Sequence, residues 1–121
     1  MIAACRGDRG RSIELFQAGL QLRHELGDEA GLAECLEGLA EVSSVGGDHD
    51  TSATLLAASA ALRTRTGSHA SPAERATADR LLAAARSNLE PAAFARDVER
   101  GRSFLLSELV DYAQEVGGRA P

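Results

Sequence analysis

The chain has 121 residues, enough for one modest core but short for an enzyme that must also build its own pocket. Hydrophobic residues make up 44% and aromatics only 3%, so the core must be aliphatic, and 23 alanines favour closely packed helices over sheets. The net charge is −5 and the basic residues are 13 Arg with no Lys; this argues against general affinity for nucleic acid or anionic membrane and removes lysine-dependent phosphate loops and Schiff bases.

Cys5 and Cys35 are isolated thiols with no CxxC, which fits a reducing cytoplasm. No apolar run approaches the roughly 18 residues of a membrane span. Residues 1–7 are too short a leader to read as a signal peptide.

The pair Gly-Asp recurs at 7–8, 27–28 and 47–48, and Gly67 follows at the same interval. Sliding the chain by two such intervals lays Leu15 over Leu55, Ala18 over Ala58, Leu22 over Leu62 and Arg23 over Arg63. Each repeat is therefore two helices of similar length. Gly27 and Gly47 can take the left-handed conformation that closes a helix, and the Asp that follows can cap the next one. This reading places helices at 9–26, 29–46 and 49–66.

In the first helix Ser12, Leu15, Phe16, Gly19, Leu22 and Leu26 form the expected inward stripe. In the second it is Leu32, Cys35, Leu36, Leu39 and Val42. The third uses Ala53, Leu55, Leu56, Ser59 and Leu62. Ser71-Pro72-Ala73-Glu74 is a capping box that opens a fourth helix to about Asn88, with Leu81, Leu82 and Ala85 inward. Pro91 starts a fifth, anchored by Phe94 and Val98 and stopped by Gly101. Leu105 to Val116 forms the last, burying Leu106, Leu109, Val110 and Ala113, and residues 117–121 should fray.

The stretch Ala33-Glu34-Cys35-Leu36-Glu37-Gly38-Leu39-Ala40, with Gly47-Asp48, Ser52, Leu56 and Ser59, resembles one tetratricopeptide repeat. Asp28 through Tyr112 also resembles the C-terminal repeat region of large actinobacterial LuxR-type, nucleotide-binding transcriptional regulators. The period of two Gly-Asp intervals is longer than that family's, and no nucleotide-binding or DNA-binding segment is present. The resemblance implies an all-α, right-handed stack of antiparallel helix pairs. Residues 1–121 then form one domain, with repeat helices over 1–67 and capping helices over 68–116.

The resemblance also implies a concave groove lined by Glu34, Glu37, Glu41 and Ser44, suited to a protein or basic peptide partner. The residues themselves permit a blander reading, a solvated polar face opposite the apolar stripe. No catalytic constellation is apparent: there is no Gly-x-Ser-x-Gly elbow, and His24, His49 and His69 have no metal-ligand spacing. No cofactor is expected. The function expected is a non-enzymatic interaction module of a transcriptional or signalling regulator, cytoplasmic, with a small-molecule effector domain as the alternative and a small helical enzyme behind it. The start of the chain leaves the first helix without a covering neighbour. Ile2, Ile13, Phe16 and Leu20 should then be partly exposed and form a two-fold homodimer interface.

Overall fold

A computed structural model describes the backbone of residues 2–118 and the side chains of residues 8–118. The described chain is all-α, with six helices: α1 (Ile2–Leu26), α2 (Glu29–Val45), α3 (His49–Thr66), α4 (Pro72–Asn88), α5 (Pro91–Ser103) and α6 (Leu106–Gln114). Residues 119–121 of the expected frayed tail lie outside the described residues.

The turns form where the sequence places them. Gly27, Gly47 and Gly67 have φ of 72°, 85° and 73°, a region that glycine enters without steric cost. Asp28 accepts from Gly31 N at 3.0 Å and Asp48 from Thr51 N at 3.2 Å, so each turn caps the helix after it. The capping box is complete: Ser71 Oγ accepts from Glu74 N at 3.1 Å, and Glu74 Oε1 accepts from Ser71 N at 2.8 Å. The first Gly-Asp pair behaves differently. Residues 7–8 lie inside α1, which runs unbroken from Ile2 rather than starting at residue 9.

Helices α1 and α2 are antiparallel in a tight register set by glycines. Gly19 faces Cys35, the Phe16 ring rests on Gly38, and the Arg23 side chain lies across Gly31. Any side chain at Gly38 or Gly31 would overlap its neighbour. α3 packs beside α2 and is the most enclosed helix, buried at every position from Thr51 through Ser59. Leu20, Leu32, Leu36, Leu39, Leu55 and Leu62 form the aliphatic core expected from the composition.

Two expected phases are corrected. In α1, Leu15, Leu22 and Leu26 are exposed, at 67%, 56% and 72%, whereas Leu20 is fully buried and Ile13 and Phe16 pack on the core. The face expected to pair two copies is thus turned inward, and the apolar stripe left outside is the other one; the Ile2 side chain lies outside the described residues. In α5, Gly101 does not stop the helix. It sits inside it, pressed against Thr54 O and the Ala57 Cβ of α3, while Asp97 and Gly101 take the buried face expected for Phe94 and Val98. With α5 held at Asp97 and Gly101, both α4 and α5 lean on α3 and scarcely touch each other.

The last helix returns to the first. Gln17 Nε2 donates to the carbonyls of Ala113, Gln114 and Val116 at 3.1, 3.0 and 2.9 Å, and Gln114 Nε2 donates to Gln17 O at 2.9 Å. The carbonyls at and just beyond the end of α6 thus find a side-chain donor on α1. Among the described residues no helix is long and apolar enough to cross a membrane.

Candidate functional site

The four residues expected to line a groove all lie on α2, but they do not act together. Glu37 is half-buried and committed: Arg63 Nε and Nη2 donate to its two oxygens at 2.8 and 3.0 Å, and Ser59 Oγ also donates to Oε2. That hydrogen bond raises the Arg63 pKa further above its ordinary range. Glu41 is exposed, 3.6 Å from the Arg80 guanidinium, and Glu34 is exposed. The three carboxylates edge a depression of about 250 Å3 that α4 covers with Ala73, Thr77, Ala78 and Leu81. Ser44 does not border it. Part of the surface a peptide would use is therefore occupied by the chain's own fourth helix.

Ser59 and Glu37 place a hydroxyl against a carboxylate, the beginning of a nucleophile–base pair. Ser59 is only 1% exposed, and Arg63 holds the carboxylate as an ion pair. With the hydroxyl buried and the carboxylate ion-paired, the arrangement is a structural tie. Cys35 is likewise buried, and burial pushes its thiol above the usual range, away from thiolate reactivity. Among the described residues no group of three or more His, Cys, Asp or Glu is placed to hold a metal.

A different charged cluster lies at the α3–α5 contact. Asp97 is 4% exposed, and its Oδ2 accepts no hydrogen bond. Burial, then the adjacent Asp50 carboxylate, push its pKa up to about 6. Arg96 bridges the two carboxylates at 3.3 and 3.4 Å from its exposed position. Asp97 is buried beneath α5 while Asp50 and Arg96 are exposed, and the cluster borders none of the four cavities described here.

The site with the clearest chemistry is the gap between α4 and α5. It is a cleft of about 630 Å3 floored by Ala57, Ala60, Ala61 and Thr64 of α3 and walled by Leu82 on one side and Phe94 and Val98 on the other. Arg65, Arg86 and Arg102 stand at its rim, and no carboxylate lines it. The Arg86 guanidinium sits 5.0 Å over the Phe94 ring, a cation–π contact that positions it without neutralising it. Among the described residues Arg102 pairs only with an exposed Glu99 at 4.0 Å. A second depression of about 580 Å3 shares Leu56, Ala60, Thr64 and Leu82, so the two form one trough along α3.

A further cavity, about 650 Å3, lies where α6 meets α1 and the end of α2. It mixes Arg9 with Glu14, Asp48 and Glu115 and has no continuous apolar floor. The sequence reading missed the α4–α5 cleft because it assigned Phe94 and Val98 to the core. Its signal was the Asp97–Gly101 spacing, one turn apart on a strip of α5 only about 60° round the helix from Phe94 and Val98. No protein-family model, no curated protein and no solved structure matches this chain.

Proposed function

We propose that this chain is a non-catalytic protein- or peptide-interaction module built on tetratricopeptide-like helix pairs, serving as the sensor or scaffold part of a transcriptional or signalling regulator. The observation that carries this reading is the trough along α3. Its α4–α5 end is an apolar surface between two helices that do not close on each other, the geometry in which a groove-binding segment docks. The groups that could serve acid–base or nucleophilic chemistry are instead spent on internal ties: Glu37 on Arg63, and Cys35 on the α1–α2 contact.

A small-molecule effector is the second reading, favoured by the volume of the α4–α5 cleft, which falls within the range of ligand pockets. Thermal-shift titration separates the two. Amphipathic peptides should raise the melting temperature in a saturable way, whereas a metabolite panel should not. A shift with metabolites alone would sink the interaction reading in favour of the effector reading.

Self-association belongs to the outer face of α1. Leu15, Leu22 and Leu26 lie within about 40° of one another around the helix. Arg11 and Glu25 flank them on one side, near opposite ends of the stripe. Antiparallel pairing of two copies crosses at Ala18, sets Leu15 against the other copy's Leu22, and brings Arg11 to Glu25 twice. Sedimentation at micromolar concentration tests this: a dimer that becomes a monomer in Leu15→Glu is expected, and a monomeric parent protein would refute it.

A further inference from the structure

We propose that the α4–α5 cleft takes an acidic amphipathic helix, and that this helix, rather than a basic peptide on the α2 ridge, is the partner of the module. The proposal rests on the interaction reading above and deepens it by assigning the chemistry of the occupant.

The first argument is charge. In a chain of net charge −5, the expected local potential is negative. At this cleft it is reversed, with three arginines and no carboxylate in its lining, whereas the adjoining depression along α3 carries Glu37, Glu74 and Asp79 beside Arg63 and Arg75. Arginines in the last turns of helices are ordinary compensation for the helix dipole, and each of these three stands near such an end. That rule explains one arginine per helix. It does not explain why α3, α4 and α5 all bring theirs to the same apolar wall. Across the fold the ion-paired arginines Arg23, Arg63, Arg80 and Arg96 each reach a carboxylate on another segment, whereas Arg102 finds one only within its own helix at 4.0 Å. Arg65 and Arg86 have no ion pair among the described residues.

The second argument is shape. The floor is made of Ala57, Ala60, Ala61 and Thr64, small enough for another helix backbone to approach closely. Leu82, Phe94 and Val98 supply larger walls into which anchors at i, i+3 or i+4, and i+7 can insert. Along α5, Phe94 with its stacked Arg86 and the position of Arg102 are separated by about 12 Å of helix rise. Two carboxylates about eight residues apart on a docked helix span the same distance. The partner therefore carries a leucine-rich stripe flanked by acids at its two ends. The α2 ridge offers a basic peptide far less, because Glu37 is already neutralised and α4 stands over the adjoining surface.

The test uses the full chain and three fluorescein-labelled 16-residue probe helices sharing one leucine face. One is flanked by Glu, one by Lys and one by Gln; binding is read by anisotropy at two salt concentrations. The Glu probe should bind at least about tenfold more tightly than the Gln probe, and high salt should erase most of that gain. The doubly reversed protein R86E/R102E should exchange its preference for the Lys probe; unchanged circular dichroism confirms folding, since both side chains are exposed. A single Ala61→Trp change, at the half-exposed floor, should weaken all three probes together. If the Lys probe binds best, and Glu34→Gln with Glu41→Gln abolishes it, the acidic-partner inference fails while the interaction reading stands. If Glu, Lys and Gln probes bind alike regardless of R86E/R102E, the charge argument is overturned. If none binds, both readings fall.

Discussion

The α2–α3 seam and the α4–α5 flank draw on the same residue types and use them in opposite ways. On the α1 side of α2, glycines admit side chains from α1; at the seam itself leucines fill the space, and the Glu37–Arg63 ion pair is turned inward with its serine partner. At the flank, a glycine admits backbone instead. Gly101 draws α5 onto α3 so closely that Phe94 and Val98 are left facing a cleft, with arginines above them. The lesson is that where a glycine sits on a helix decides which face is committed. Residues on the adjoining strip, here the half-buried Phe94 and Val98, are then available for binding, however apolar they are.

The comparison can be broken most forcefully at the seam. Glu37→Ala leaves Arg63 buried without its partner and should destabilise the fold by about 3–5 kcal/mol in urea denaturation. Replacing both by apolar residues of similar volume, Glu37→Met with Arg63→Leu, should recover most of that loss. A cost near zero for Glu37→Ala would mean that the carboxylate is solvated and the seam is not sealed.

The next effect is at Gly101. A Cβ there meets Thr54 O and lies 2.9 Å from the Ala57 Cβ, so Gly101→Ala should cost about 1–3 kcal/mol by pushing α5 off α3. The same change should reshape the cleft, and weaker probe binding in a still-folded protein would tie the two regions together.

Asp97 gives a pH signature. Its folded pKa is about 6, above the ordinary 3.8, so the folded state holds its proton more tightly. The stability this group contributes is full below about pH 3.8 and is lost as pH rises through 6. Asp97→Asn should therefore raise stability at pH 7 by about 1–2 kcal/mol, with little gain at pH 4. An equal effect at both pH values would show that Asp97 titrates normally. Arg86→Ala, at the exposed rim, should change stability by less than about 0.5 kcal/mol while weakening the Glu probe. A large stability loss there would make the arginine a structural rather than a binding residue.

Much of the backbone plan was legible because its signals are local. Gly27-Asp28, Gly47-Asp48 and Ser71-Pro72-Ala73-Glu74 each combine a turn with a cap, and each acts within a few residues. Gly7-Asp8 carries the same signal and makes no turn, since a glycine within a helix costs only about 1 kcal/mol and α1 continues through it. The phase of α1 was hidden for another reason. It has two apolar faces, Ile13-Phe16-Leu20 and Leu15-Leu22-Leu26, and periodicity alone cannot rank them. Gly38 ranks them, because it offers the Phe16 ring a place to rest. That information lies on another helix, as does the Thr54 carbonyl that fixes α5. The candidate cleft was illegible for the same reason: its opening depends on two helices that fail to meet.

The bond between Gln17 and the end of α6 has a consequence for how this molecule comes apart. A linear array of repeats passes load only from neighbour to neighbour, so either end can fray while the middle persists. Here the last helix is fastened to the first by three carbonyls and a return amide, which turns the row into a loop of contacts. With that fastening, neither α1 nor α6 is a free end at which melting can begin at low cost. Backbone amides in α2 and α6, far apart in the chain, should exchange with deuterium through one shared opening, whereas Gln17→Ala should let α6 exchange ahead of the rest.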